Sequence, residues 1–186
     1  NNMKTIQTLL ATLLCLFTFG AQSQNDFKLP EGYNEERPNA KIELDFDGDG
    51  AKDLAIAYSD EEGASKIAVY FASKWAVDKT YYSFSWGNHT TYKLSFSNNS
   101  LYIDLGDDYG YVFTSFKFTY DSDLINFRLM NYSTTEYMLH PRVLLSSKNL
   151  NLQSGEYSID GGSKKIGPQY FINLSDIEDN AYLLKD

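Results

Sequence analysis

Hydrophobic and polar side chains alternate with a period of two along most of the chain after residue 40. In this pattern every second side chain points to the same face of an extended strand, so one face lies on a core and the other meets water. Such alternation is typical of antiparallel sheets. The apolar members of the clearest runs are Ile42, Leu44 and Phe46; Leu54, Ile56 and Tyr58; Tyr82, Phe84 and Trp86; Tyr92, Leu94 and Phe96; Leu101, Ile103 and Leu105; and Phe116, Phe118 and Tyr120.

Short turn signals separate these runs. Asn98-Asn99 lies between two of them and suits a tight hairpin, because asparagine tolerates left-handed backbone angles. Further turns are predicted at 61–63, 107–110, 121–123 and 160–162. Strands separated by turns at these short intervals predict an all-β fold, in which an antiparallel meander forms a sandwich, a barrel or a propeller-like stack of sheets.

Little helix is predicted. The segment 173–184 has apolar residues at near-helical spacing, and we interpret it as a short helix or a loop. One helical turn is predicted at 73–78. The segment 150–172 is predicted to form a second small unit, a hairpin with Ser154-Gly155 at its turn.

The first residues differ in kind from the rest. Lys4 precedes an apolar run from Ile6 to Phe19, and small and polar residues follow as far as Gln24. This three-part layout predicts a secretory signal peptide at 1–24, and the run is too short for a typical membrane span. We therefore predict a leader at 25–40, a single β domain at 41–186, and a mature chain that is secreted or periplasmic and has no membrane span.

Removal of the signal peptide changes the chemistry that remains. Cys15 is the only cysteine and lies in the signal, so the mature chain would have no disulfide, thiol nucleophile or zinc–thiolate site. It would keep 15 basic and 25 acidic residues, a net charge of −10. A field of that sign repels nucleic acid and anionic membranes and attracts cations.

One acidic loop has the spacing of a calcium site. Carboxylates stand at its relative positions 1, 3, 5 and 9, a glycine at position 6, and at position 7 a residue that offers only its carbonyl. Calcium takes six to eight oxygen ligands from carboxylates and carbonyls, and clustered carboxylates repel one another unless a cation lies between them. The loop is 45–53, and the predicted ligands are Asp45, Asp47, Asp49, Ala51 and Asp53.

The loop resembles the calcium hairpins of FG-GAP and VCBS-type repeats, which occur in integrin-like β-propellers. It carries their Asp-x-Asp-x-Asp-Gly-x-x-Asp signature, followed by a short apolar strand. A full EF-hand would place glutamate at position 12, where this chain has Ile56. The resemblance implies that the four aspartates and the Ala51 carbonyl hold calcium. It covers only Lys41 to Ser59, and the motif occurs once, which favours one calcium hairpin within a different all-β domain over a whole propeller.

Other candidate chemistry is sparse. His89 and His140 are the only histidines and have no second ligand at metal spacing, and the Gly-x-Ser-x-Gly elbow of serine hydrolases is absent. Asp104, Asp107 and Asp108 are the best-placed carboxylates for cutting a sugar bond, but their turn position suits a simple loop better. Trp75, Trp86 and the tyrosines offer material for a flat sugar-binding platform, although alternation places most aromatic rings in the core.

These features together favour an exported, non-enzymatic calcium-binding β domain that recognises a protein or the cell surface, with calcium as a structural metal. Two alternatives stay open. One is a carbohydrate-binding module, which should expose a row of two or three aromatic rings. The other is a hydrolase of an extracellular polymer, which should show a pocket with converging acids apart from the calcium loop. The overall style of the chain, with a signal ending in Ala-Gln-Ser-Gln and many asparagine and tyrosine residues, resembles that of secreted proteins of Bacteroidetes-type bacteria.

Overall fold

A computed structural model describes residues 40–59, 65–72, 80–87, 89, 91–107 and 109–185. The predicted signal peptide, all of the predicted leader except Ala40, the predicted turn at 61–63 and the predicted helical turn at 73–78 lie outside these ranges. Ala40, assigned to the leader from the sequence, is the first residue of the first strand.

The described residues form two antiparallel sheets. The first consists of β1 to β4 and the second of β5 to β11, followed by a 3-10 turn (Leu174–Asp176) and one helix, α1 (Ala181–Lys185). The strands are β1 Ala40–Leu44, β2 Asp53–Ser59, β3 Ser65–Phe71, β4 Thr80–Ser85, β5 Thr91–Ser97, β6 Ser100–Gly106, β7 Val112–Asp121, β8 Asn126–Leu139, β9 Arg142–Asn151, β10 Glu156–Ile159 and β11 Lys165–Ile166.

Strand order follows chain order in both sheets, so each sheet is a meander. The prediction of an all-β antiparallel meander is confirmed, and the arrangement of the two sheets is that of a sandwich. The hairpin at Asn98-Asn99 is also confirmed: the two asparagines adopt φ angles of 49° and 57° between the paired Ser97 and Ser100. The C-terminal segment is a short helix joined to turns, as the sequence predicts.

One hydrophobic core lies between the sheets and is rich in phenylalanine. Side chains of β3 and β4, such as Val69 and Phe84, meet Ile103, Phe116 and Phe118 of β6 and β7. Aromatic rings make much of this contact: Phe84 lies 5.6 Å from Phe116 and 6.1 Å from Phe118, between ring centroids. Offset and edge-to-face pairs at such distances add stability beyond the area they bury.

The first sheet buries both of its faces. Ala55 and Ala57 of β2 belong to the core between the sheets, whereas Leu54, Ile56 and Tyr58 form a separate buried cluster with Ala68 and Tyr70. Because neighbouring strand residues point to opposite faces, this cluster lies on the far side of the sheet. The alternation at 54–58 therefore separates large from small buried side chains here, and not buried from solvated ones.

Long strands dominate the second sheet. β8 pairs with β7 on one side and with β9 on the other. The register is irregular beside Lys117/Phe118 in the first pairing and beside Glu136/Tyr137 in the second. Among the described residues, no helix is long and apolar enough to cross a membrane.

Candidate metal site

The acidic loop connects β1 to β2 across the hairpin of the first sheet. Leu44 pairs with Asp53 at the end of the ladder, so the intervening residues must reverse direction within a short span. Gly48 and Gly50 provide that reversal with φ angles of 83° and 87°, a region that other residues enter only with strain. The glycine at position 6 that the sequence marks, Gly50, is thus one of the two glycines that shape the loop.

The reversal brings three carboxylates together. Asp45, Asp47 and Asp49 can each offer one oxygen such that all three atoms lie within 4.8 Å of one another. Asp45 is exposed, and the other two are half-buried. An ion reaching this cluster would therefore meet hard oxygen ligands that remain open to solvent, which is the ligand type that calcium prefers.

Backbone amides hold these carboxylates in place. Asp45 accepts hydrogen bonds from the backbone N–H groups of Gly48 at 2.7 Å and Gly50 at 2.9 Å, one on each oxygen. Asp47 Oδ1 accepts from Asp49 N–H at 3.0 Å, and Asp49 Oδ1 accepts from Ala51 N–H at 2.6 Å. The loop is wound around its own side chains, and each carboxylate oxygen has a second lone pair with which to bind a cation.

The cluster carries an electrostatic cost. Burial raises the pKa of Asp47, and the neighbouring charges of Asp49 and Asp45 act in the same direction, against the N–H of Asp49, which lowers it. A raised pKa means that the ionised form is disfavoured in the folded loop. A cation among the three carboxylates would favour that form.

Asp53 has a different position from the other three aspartates. It is fully buried, at 0% exposure, and it is not part of the group whose oxygens lie within 4.8 Å. Its Oδ2 accepts the N–H of Phe46 at 2.6 Å, and its Oδ1 accepts the N–H of Ala72 at 2.8 Å. Burial raises the pKa of Asp53 to about 7, against the lowering effect of these two donors. Asp53 thus forms the base of the loop.

Phe46 fixes the loop to the core. Its side chain is buried, and its ring lies 4.9 Å from Phe96 and 5.8 Å from Phe127. The residue sits between Asp45 and Asp47, so the first two carboxylates are positioned by a ring packed between the sheets. Ala51, the fifth predicted ligand, is half-buried within the same loop.

Three other candidate residues from the sequence, His89, Asp107 and His140, lie outside the acidic loop. His89 is buried; its Nδ1 lies 2.9 Å from the carbonyl of Trp86, and its backbone N–H donates to Ser65 Oγ. Burial lowers the pKa of His89, while the negative charge of Asp107 partly opposes that effect. Asp107 Oδ1 accepts the N–H of Tyr111 at 2.7 Å, as expected of a turn residue. His140 is exposed beside a cis Pro141.

The aromatic residues divide as alternation predicts, with exceptions. Trp86 is buried against Phe116, with ring centroids 5.0 Å apart, whereas Trp75 and Asp108 lie outside the described residues. Tyr109, Tyr111 and Phe113 are exposed, which the sequence pattern does not predict. Tyr109 and Tyr111 precede β7 and so fall outside its alternating run, and no sequence pattern therefore predicts which way their side chains point.

Comparison with known proteins gives no relative: no family model matches the chain, and neither the curated proteins nor the solved structures contain a match.

Proposed function

We propose that this chain is an exported calcium-binding β domain, in which calcium is a structural metal and the domain binds a protein or a cell surface without catalysis. The observation that carries the calcium proposal is the approach of Asp45, Asp47 and Asp49 within 4.8 Å on one hairpin loop. The order of donors along the loop, with glycine at position 6, supports calcium over other cations.

A bound ion would act on a loop whose two ends are already fixed. Asp53 holds the base through Phe46 N–H and Ala72 N–H, and the Phe46 ring is packed in the core. The ion would remove the repulsion among the three carboxylates and so stabilise the folded state without reshaping the domain. Modules of this kind in extracellular settings bind calcium with Kd values of roughly 10⁻⁴ to 10⁻³ M.

Exposed apolar side chains support a binding role. Tyr109, Phe113, Leu144 and Leu145 are all at least 39% exposed, and they gather near the ends of β6 to β9. Contiguous exposed apolar groups on a soluble domain commonly mark a surface that a partner covers.

Thermal unfolding of the full chain with calcium or with chelator tests the metal proposal. Binding at a hundredfold excess over Kd contributes about 2.7 kcal/mol, which raises Tm by roughly 5–10 °C for a domain of this size. Asp47→Ala with Asp49→Ala should abolish the shift. Asp104→Ala with Asp123→Ala removes the same charge elsewhere and should keep it. Identical melting curves of the wild-type protein in calcium and in chelator would refute the proposal.

A further inference from the structure

The outer face of the second sheet, the face that points away from the core, carries a polar cleft. Its volume is about 230 Å³, and β8, β9 and β10 supply most of its lining. The lining residues that matter here are Asn131, Asn149, Asn151, Ser158, Glu156 and Lys164.

Strand register explains why these side chains share one face. Tyr132 pairs with Leu150, and both are buried, so their neighbours along each strand point outward. Asn131 pairs with Asn151 on the outward face, and Asn149 pairs with Ser158. Three amides therefore stand side by side across two adjacent strands.

The cleft presents hydrogen-bonding groups with little net charge. Asn131 and Asn149 each offer two N–H donors and a carbonyl acceptor, and the serine hydroxyl offers both functions. Asn151 offers its N–H donors, because its Oδ1 accepts the N–H of Ser154 at 3.0 Å. Lys164 Nζ lies 3.4 Å from Glu156 Oε2, so the two charged side chains at the cleft neutralise each other. Such a lining matches a ligand with many hydroxyls and no charge.

Exposed aromatic rings continue the same face toward the other end of the strands. Ser115 of β7 pairs with Ser133 of β8, which in turn pairs with Asn149 of β9, so these three residues lie at one level across the sheet. Phe113 comes two residues before Ser115 and therefore lies about 7 Å along the strand from Asn149, on the same face. A side chain at Gly106 would begin 3.4 Å from the Phe113 ring, so the glycine leaves space for the ring beside the sheet.

These rings form two pairs at the edge of the face. Phe113 and Tyr137 lie 6.1 Å apart edge to face, and Tyr109 and Tyr111 lie 5.8 Å apart. The carbonyl of Tyr111 accepts the N–H of Tyr137 at 2.7 Å, which brings the two pairs next to each other. Tyr109 is 72% exposed, Tyr111 40% and Phe113 39%.

We propose that this outer face binds a neutral oligosaccharide, with the amide cleft taking sugar hydroxyls and the tyrosine–phenylalanine edge taking the apolar C–H face of a sugar ring. Few, well-placed polar groups beside aromatic rings are the usual composition of such sites. The chain's net charge of −9 opposes anionic polysaccharides, which limits the ligand to uncharged glycans. The proposal names a ligand class for the binding role proposed above and rests on that role, but not on calcium.

Affinity electrophoresis of the full chain tests the glycan proposal, in native gels that contain starch, xylan, galactomannan or a soluble β-glucan. An array of neutral oligosaccharides provides a second measurement of binding. We expect retardation by at least one polymer and at least a tenfold loss of affinity in Tyr109→Ala and in Asn149→Asp. Tyr182→Ala removes a tyrosine that is 61% exposed on α1 and should bind as the wild-type protein does. Melting temperatures establish that each variant is folded.

Absence of retardation by every polymer and of binding on the array would overturn the proposal, as would unchanged binding in both site variants. Dimerisation that Leu144→Glu abolishes, without any glycan binding, would instead identify the face as a protein interface and equally overturn it. A calcium-dependent rise in Tm that persists in either case would show that the metal proposal stands while the ligand proposal fails.

Discussion

Asp53 Oδ1 accepts a hydrogen bond from the backbone N–H of Ala72 at 2.8 Å, nineteen residues farther along the chain. The other oxygen of the same carboxylate accepts the N–H of Phe46 at 2.6 Å. One buried side chain therefore joins the start of the acidic loop to the end of β3, which makes it a structural centre of the first sheet whatever the loop binds.

Replacing this carboxylate by its amide should destabilise the protein. Asp53→Asn leaves one of the two backbone donors facing an N–H₂ group, and a buried unsatisfied donor costs about 1–3 kcal/mol. Urea unfolding in chelator at pH 8, above the raised pKa of Asp53, measures the loss apart from any metal effect. The exposed Asp123→Asn should change stability by less than about 0.5 kcal/mol. Equal unfolding midpoints for the two variants would contradict the assigned role.

The titration of His89 should favour unfolding as the pH is lowered. Burial lowers the pKa of His89 in the folded state below its unfolded value near 6.5, with Asp107 opposing the shift. Below about pH 6.5 the unfolded state therefore binds more protons at His89, and the contribution of this residue to stability declines until its folded-state pKa is passed. Asp53, with its pKa raised to about 7, gains a proton in the folded state over the same range and acts in the opposite direction. Denaturant titrations at pH 7.5 and pH 5.5 therefore measure the His89 contribution by comparison with a variant that lacks the imidazole.

His89→Asn supplies the comparison, because its amide keeps a donor near the carbonyl of Trp86 but does not titrate. The unfolding free energy at pH 5.5, taken relative to that at pH 7.5, should be higher in this variant than in the wild-type protein. His140→Asn, in the turn between β8 and β9, should retain the wild-type difference. A pH dependence unaltered by His89→Asn would show that other groups produce it.

Phe127 is the ring on which the aromatic core converges. Its centroid lies 5.8 Å from that of Phe46, 5.6 Å from Phe71 and 5.7 Å from Tyr120. Phe127→Ala should cost about 3–5 kcal/mol by leaving a cavity between the sheets, and Phe127→Leu clearly less. Chemical denaturation would measure both. A loss below about 1 kcal/mol for the alanine variant would mean that the core refills the space.

Two glycines with similar backbone angles should respond differently to alanine. Gly155 and Gly161 have φ angles of 72° and 68°, so both substitutions bear the left-handed strain of about 1–2 kcal/mol. An added Cβ at Gly155 would lie 2.4 Å from the carbonyl oxygen of Gly167, whereas nothing lies within 4 Å at Gly161. Gly155→Ala should therefore lower Tm by several degrees more than Gly161→Ala. Equal shifts would show that the backbone at Gly167 moves freely.

The sequence predicted the strands whose apolar residues alternate without interruption. Each alternating run after the acidic loop coincides with a strand, because the two faces of a strand hold different kinds of side chain. At 54–58 the two kinds are small and large buried groups rather than solvated and buried ones. β8 and β9 were not predicted as strands of their present length. Register shifts beside Lys117/Phe118 and Glu136/Tyr137 interrupt the alternation, and the part of the hairpin beyond β7 exposes apolar side chains on both faces.

In the candidate metal site, likewise, the sequence predicted the local arrangement but not the contacts made by distant residues. Local spacing was enough to place Asp45, Asp47 and Asp49 on one loop, since a tight turn brings alternate residues together. Local spacing could not show that the Asp53 carboxylate accepts the N–H groups of Phe46 and Ala72. Ala72 follows the end of β3, nineteen residues farther along the chain, so this contact depends on the tertiary fold. Calcium binding, export and the FG-GAP resemblance remain predictions.

The agreement between strand order and chain order has a kinetic consequence. Each ladder joins segments that are adjacent in sequence, so pairing requires only short loop closures with a small entropic cost. The interface between the sheets is different, because it brings together β3 and β4 with β6 to β8. Proteins with mostly local contacts fold quickly. We therefore expect the docking of two partly formed sheets, and not the pairing of any strand, to set the folding rate of this domain.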